Sequence, residues 1–389
     1  MPPKKKKSIE EEIEESVNTE AEVFDELGDN KKAIFDDNQI LSCGDPIVNL
    51  HLSGRCRGGF LCGKYHHLVG ESSAGKSWIA MSVFAESSLH PIFKDHTLLY
   101  DNVEDGMLAD MDYYFGETTA KRIKAPRYVD GEEDFSITVE DFFDNLERKN
   151  QEAKESGKGF IYVLDSYDGL SSESDMALML SNMKLRAEGK DVKQSMGMGK
   201  AKAGSNRFGN ICRELKETGS FIFIISQQKN KFNPTGATNK HHWSGGDWLK
   251  YYSATQSFLF IKDRIEKTIK GKKRPIGTEA KINIRKSRQT GQRHSDIPLR
   301  IVNTFGIDGI YNCVNYLVSE GVFTGKATPE AKIDVNGLFK MKKQETREKI
   351  SQWIEENDKY EELFDLVQNC FDGIQSEIES KVKRKRRYI

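Results

Sequence analysis

The chain has 389 residues, 37% of them hydrophobic and 31% charged, with a formal net charge of −1. That length admits one large α/β domain with appendages, or two domains. No apolar run approaches the ~18 residues of a membrane span and no secretory signal is visible. Six scattered cysteines form no C-x-x-C pair, which argues against a zinc site or a disulfide framework and for a reduced cytoplasm without membrane partners.

The chain opens with a basic run, Lys4–Lys7. Ile9, Ile13 and Val17 then repeat at i, i+4, i+8 among Glu10, Glu11, Glu12, Glu14 and Glu15, which predicts an acidic amphipathic helix. Its apolar stripe needs a partner, either this chain's own core or a neighbouring subunit. Residues 1–42 are therefore an N-terminal arm with a role in oligomerisation, 43–325 an α/β core, and 326–389 a C-terminal helical region with a basic tail, Lys381–Arg387.

Within the core, Tyr65–Val69 reads as a buried strand and Trp78–Glu86 as a helix. Between them Gly70, Glu71, Ser72, Ser73, Ala74, Gly75, Lys76 and Ser77 fit G-x-x-x-x-G-K-[ST] in the strand–turn–helix context of a phosphate-binding loop. Backbone N–H groups would wrap an anion at the helix N-terminus, Lys76 would reach the β- and γ-phosphates, and Ser77 would bind Mg²⁺. ATP with Mg²⁺ is the expected ligand.

Further strands are expected at Thr97–Tyr100, Phe160–Leu164, Phe221–Ile225, Ser257–Ile261, Lys281–Ile284 and Leu299–Val302. The first three are continuous, short and separated by helical stretches, as in a parallel sheet covered on both faces. The later ones alternate and suggest an antiparallel extension. Asp165 ends the Phe160–Leu164 run and would act on the metal through its water shell. Glu104 follows the run ending at Asp101, read as the strand beside the loop. It is the candidate base for a water molecule, with Asp101 and Asp105 as rivals. Gln227, at the end of Phe221–Ile225, is a neutral amide suited to sensing a γ-phosphate.

Two basic, glycine-containing stretches leave the same edge of the expected sheet. One carries Lys200, Lys202 and Arg207; the other carries Lys229, Lys231 and Trp243 and runs to Gly245 and Gly246. Cations interleaved with an aromatic residue suit a phosphate backbone and stacked bases.

Together these stretches resemble the RecA family of recombinases, most closely its phage-encoded UvsX branch. The match lies in Pro46–Gly54 with Gly58-Gly59 and the loop, in Asp165-Ser166, in Gly245–Ala254, and in Arg285-Lys286-Ser287-Arg288 followed by Gly306-Ile307-Asp308. It covers roughly residues 43–323, and Gly245–Ala254 is its most specific part. The resemblance implies a RecA-like P-loop ATPase core that forms helical filaments on single-stranded DNA. It implies pairing with double-stranded DNA, strand exchange in recombination, repair and recombination-dependent replication, and help from a single-strand-binding protein and a loading mediator.

It also implies that Lys286 and Arg288 face the nucleotide of the neighbouring protomer, and that loops from about Ser171 to Arg207 and Gln228 to Gly245 order on DNA. The adenine-stacking position falls near Met111 or Asp112. This chain departs from the family in one extra residue between Asp101 and Glu104, and in a basic rather than acidic end. Two rivals share the loop: a hexameric replicative helicase of the same core, and a non-catalytic, ATP-regulated assembly protein.

Overall fold

A computed structural model describes residues 36–105, 110–192, 199–230, 241–242, 246–326, 328, 330–335, 339 and 344–381, without the side chains of 201–206, 229–230 and 241–242. The expected acidic helix, the basic tail beyond Lys381, Lys231, Trp243 and Gly245 lie outside these residues, as do the side chains of Lys202 and Lys229. Contacts divide the chain into two units, Met1–Asp36 and Asp37–Ile389.

The frame of the second unit is a mixed sheet of nine strands: β1 (Lys64–Gly70), β2 (Thr97–Asp101), β3 (Ile123–Lys124), β4 (Phe160–Leu164), β5 (Phe221–Gln227), β6 (Thr255–Ile269), β7 (Lys272–Ser287), β8 (His294–Val302) and β9 (Gly306–Ile307). The order is β9-β8-β7-β6-β1-β5-β4-β2-β3, parallel from β6 to β3 and antiparallel from β6 to β9. The α/β class with an antiparallel extension is thus as the sequence predicts. The neighbour relation is not: β5 and β4 lie between the loop strand β1 and β2. Equally apolar strands carry no mark of which pairs with which, so topology alone decides.

The principal helices are α1 (Pro46–Ser53), α2 (Lys76–Leu89), α3 (Met111–Phe115), α4 (Val139–Ser156), α5 (Glu173–Ala187), α6 (Gly199–Thr218), α7 (Trp248–Tyr252), α8 (Gly309–Ser319), α9 (Arg347–Glu356) and α10 (Tyr360–Lys381). Helix α4 starts in a capping box, in which Thr138 accepts from the Asp141 N–H while the Asp141 carboxylate accepts from the Thr138 N–H, and it stops at Gly157, whose φ is 69°. Its Phe142, Phe143 and Leu146 bury with Phe208 and Ile211 of α6 against Tyr162, Ile222 and Ile224. On the other face Ile79, Val83 and Phe84 of α2 pack on Leu68, Phe223 and Ile225. Each fully buried phenylalanine contributes about 2–3 kcal/mol.

The C-terminal helices share that second core through Ile350, Ile354, Leu363, Val367 and Phe371. Arg347 fastens them. It is buried and donates to Asn315 Oδ1 (3.0 Å), the Thr328 carbonyl (2.8 Å) and the Lys326 carbonyl (2.9 Å).

Two segments differ from expectation. The hairpin of β6 and β7 is far longer than the short apolar runs suggest, because its outer half is exposed and charged. Much of the stretch expected as a loop from Ser171 to Arg207 is helical. Ser172 caps α5 by accepting from the Asp175 N–H, and α6 begins at Gly199. No helix among the described residues is long and apolar enough to cross a membrane.

Candidate nucleotide site

The loop begins where β1 ends. A Cβ on Gly70 would stand 2.5 Å from the Leu259 carbonyl oxygen, so only glycine lets β1 and β6 close up here. The turn then needs φ values of 61° at Ser73 and 98° at Gly75. Gly75 is the N-cap of α2 and offers no side-chain cap, which leaves the first-turn N–H groups for an anion.

Lys76 is mostly buried, with its ammonium donating to the carbonyls of Gly70 (3.1 Å) and Glu71 (2.6 Å). Burial lowers its pKa, against the opposing pull of Asp165, Glu104, Asp168 and Glu71. The Ser77 hydroxyl donates to Asp165 Oδ2 at 2.6 Å, and the Tyr100 hydroxyl donates to the same oxygen at 3.1 Å. Burial raises Asp165, while these two hydrogen bonds favour its carboxylate. A tight turn ahead of an uncapped helix N-terminus, a lysine, and a hydroxyl–carboxylate pair fit a nucleoside triphosphate with Mg²⁺. Lys76 and the loop would hold phosphate, and Ser77 with Asp165 the metal.

The three candidate bases differ in their hydrogen-bond partners. Asp101 is fully buried and accepts from the Ser136 N–H (2.9 Å), the Ser136 hydroxyl (2.6 Å) and the Tyr162 hydroxyl (2.6 Å). It is a structural anchor. Asp105 is exposed, at a φ of 49°. Glu104 accepts from the Ser166 hydroxyl and from Gln227 Nε2 at 3.0 Å, and its N–H donates to the Asp165 carbonyl at 3.2 Å. The Gln228 N–H reaches back to the Gly70 carbonyl at 3.0 Å. Loop, Asp165, Glu104 and Gln227 are thereby joined through four strand ends.

The other residues singled out stand elsewhere. Lys200 donates to the Asp168 carbonyl at 3.2 Å. Arg207 is held on α4 by Glu147 (2.9 and 2.7 Å) and Asp144 (2.6 Å), with its guanidinium 5.6 Å from the Phe143 ring centre. Two carboxylates neutralise that cation locally. Gly246 has a φ of 83° just ahead of α7.

Lys286 and Arg288 both donate to the Tyr251 carbonyl at the end of α7, at 3.0 and 2.5 Å. Lys286 is opposite Gln256, and Gln256 opposite His67, three residues before Gly70. At ~3.3 Å per residue and two strands across, the two cations are not gathered into their own chain's loop. Burial and the neighbouring Arg288 and Lys250 lower Lys286 to about 8.

Sequence reasoning missed an aromatic rim beside α2. The Trp78 and Tyr114 rings meet edge-on at 4.8 Å, Tyr113 donates to the Thr304 carbonyl at 3.1 Å, and Tyr113 and Phe305 are more than half exposed. The D-Y-Y-F run at Asp112–Phe115 is the signal, one residue beyond Met111 and Asp112. Tyr100 and Asp168 were also missed, since each acts through its neighbours rather than through a motif. Against known proteins, the sequence matches no family model and no curated relative.

Proposed function

We propose that this chain is an ATPase of the RecA family that assembles on single-stranded DNA and promotes homologous pairing and strand exchange. The convergence of the Gly70–Ser77 loop, Asp165, Glu104 and Gln227 on one sheet edge supports hydrolysis most directly. ATP with Mg²⁺ would supply the phosphoryl group and the charge that neutralises it.

Lys76 would exchange its two carbonyl partners for phosphate oxygens. Ser77 and Asp165 would hold the metal, Asp165 through water. Glu104 would take the proton of the attacking water, and it becomes the stronger base once the Gln227 amide leaves it. Gln227 would then be the sensor, exchanging its hydrogen bond to Glu104 for one to a γ-phosphate oxygen.

Lys286 and Arg288 have no counterpart to neutralise within their own chain's loop, which suits a role on the next protomer's nucleotide. Such a joint is heterologous and builds a filament. Tyr113 and Phe305 are offered as the stacking pair for the base. Hydrolysis measured with and without single-stranded DNA, together with imaging of the products, tests this reading. It requires DNA-stimulated turnover and helical filaments. Rings with directional unwinding would favour the helicase, and assembly indifferent to DNA would favour the regulator.

A further inference from the structure

Asp168 lies three residues past Asp165, and the proposed chemistry does not use it. Its Oδ2 accepts the Gln227 backbone N–H at 2.7 Å. Its own carbonyl accepts the Lys200 ammonium at 3.2 Å. The Tyr167 hydroxyl donates to the Lys200 carbonyl at 3.1 Å, and the Lys200 ammonium lies 6.0 Å from the Tyr167 ring centre. The residue before Lys200, Gly199, is packed on the capped start of α5. A Cβ on Gly199 would collide with Ser172 Oγ and stand 2.7 Å from Ser174 Oγ, so the helix start packs closely there.

The four-residue turn Asp165–Asp168 thus has two sides. Asp165 and Ser166 hold Ser77 and Glu104. Asp168 holds the backbone of Gln227, whose side chain closes the ring on Glu104.

We propose that Asp168 is a positioning residue that couples the start of α6 to the Gln227–Glu104 pair. This rests on the ATPase reading above and extends it to regulation by a polyanion. A phosphate backbone would draw Lys200 off the Asp168 carbonyl, because an ammonium pairs more strongly with an anionic oxygen than with a neutral carbonyl. The turn then shifts, the Gln227 N–H loses its fixed acceptor, and the glutamine amide is released from Glu104. Binding at Lys200 is thereby read as a freed base.

The test uses the full chain with oligo-dT as the probe, and compares wild type with Asp168→Ala and Asp168→Asn. Two quantities are read: the ratio of hydrolysis with and without oligo-dT, and amide hydrogen exchange in the Phe221–Gln228 segment. Asp168→Ala is expected to speed exchange at the Gln227 N–H by roughly tenfold or more and to abolish most of the oligo-dT response. Asp168→Asn retains an acceptor oxygen and is expected to preserve both. Asp168→Ser, too short to span the distance, replaces the alanine variant should that one not fold. Unchanged exchange and an unchanged oligo-dT response in the alanine variant would overturn the proposal, as would an asparagine variant that behaves like alanine. A wild type indifferent to oligo-dT would sink the nucleic-acid reading instead, and the exchange measurement would still decide whether Asp168 holds Gln227.

Discussion

Glu104 and Gln227 meet at 3.0 Å although their strands, β2 and β5, are separated by β4. The contact forms above the end of β4, where Ser166 donates to the same carboxylate. In this arrangement the proposed base and the proposed sensor are hydrogen-bonded to each other.

Glu104→Gln removes the proton acceptor and keeps the shape. Turnover should fall by a factor of about 10²–10⁴, with ATP-bound protein retained on DNA. Asp105→Asn should leave turnover within about twofold of wild type, because the hydrogen bonds from Ser166 and Gln227 go to Glu104. Single-turnover hydrolysis and filter retention read both variants.

Asp101→Ala acts on the fold. It leaves the Ser136 hydroxyl and N–H and the Tyr162 hydroxyl without their buried acceptor. A loss of about 3 kcal/mol in denaturant unfolding is expected. Asp101→Asn should cost less, because one acceptor oxygen survives.

Two buried groups give opposite pH signatures. His67 is fully buried, near Asp168 and Lys286, with its ring paired to Ser226 Oγ (3.0 Å) and the Gln256 amide (3.1 Å). Burial lowers its pKa to about 3. The unfolded chain then binds a proton that the folded chain refuses, so stability is complete above about pH 6.5 and declines as pH falls toward 3. Asp45 caps α1, and burial raises it to about 7. Its folded form keeps a proton that the unfolded form releases, so stability declines as pH rises from about 4 to 7. Relative to wild type, His67→Gln should therefore gain stability on acidification and Asp45→Asn on alkalinisation. Each difference should approach about 1.4 kcal/mol per pH unit within its window. Urea unfolding at pH 5.0, 6.0 and 7.5 reads the signs.

The loop was legible because its chemistry is local: Gly75 at a φ of 98° and Lys76 at the start of a helix are demanded by a few adjacent residues. Asp165 was legible for the same reason, as the polar end of an apolar strand. Strand order was not, since Thr97–Tyr100 and Phe221–Ile225 look alike until paired. Helix α5 was hidden because it buries no residue and turns Met176, Met179, Leu180 and Met183 outward, so its periodicity marks no core. The pairing of Arg207 with Asp144 and Glu147 was not legible, because those carboxylates lie about 60 residues away in sequence.

The central claim is that the nucleotide site is completed by a neighbouring copy on DNA, and mixing two inactive variants tests it most directly. Lys76→Ala retains Lys286 and Arg288, while the double variant Lys286→Ala with Arg288→Ala retains the loop. Each alone should show almost no DNA-stimulated hydrolysis. Mixed in equal amounts on single-stranded DNA, they should recover about a quarter of wild-type turnover, because one joint in four unites an intact loop with intact cations. A mixture as inactive as its components, or a Lys286/Arg288 double variant with wild-type turnover, would contradict the account.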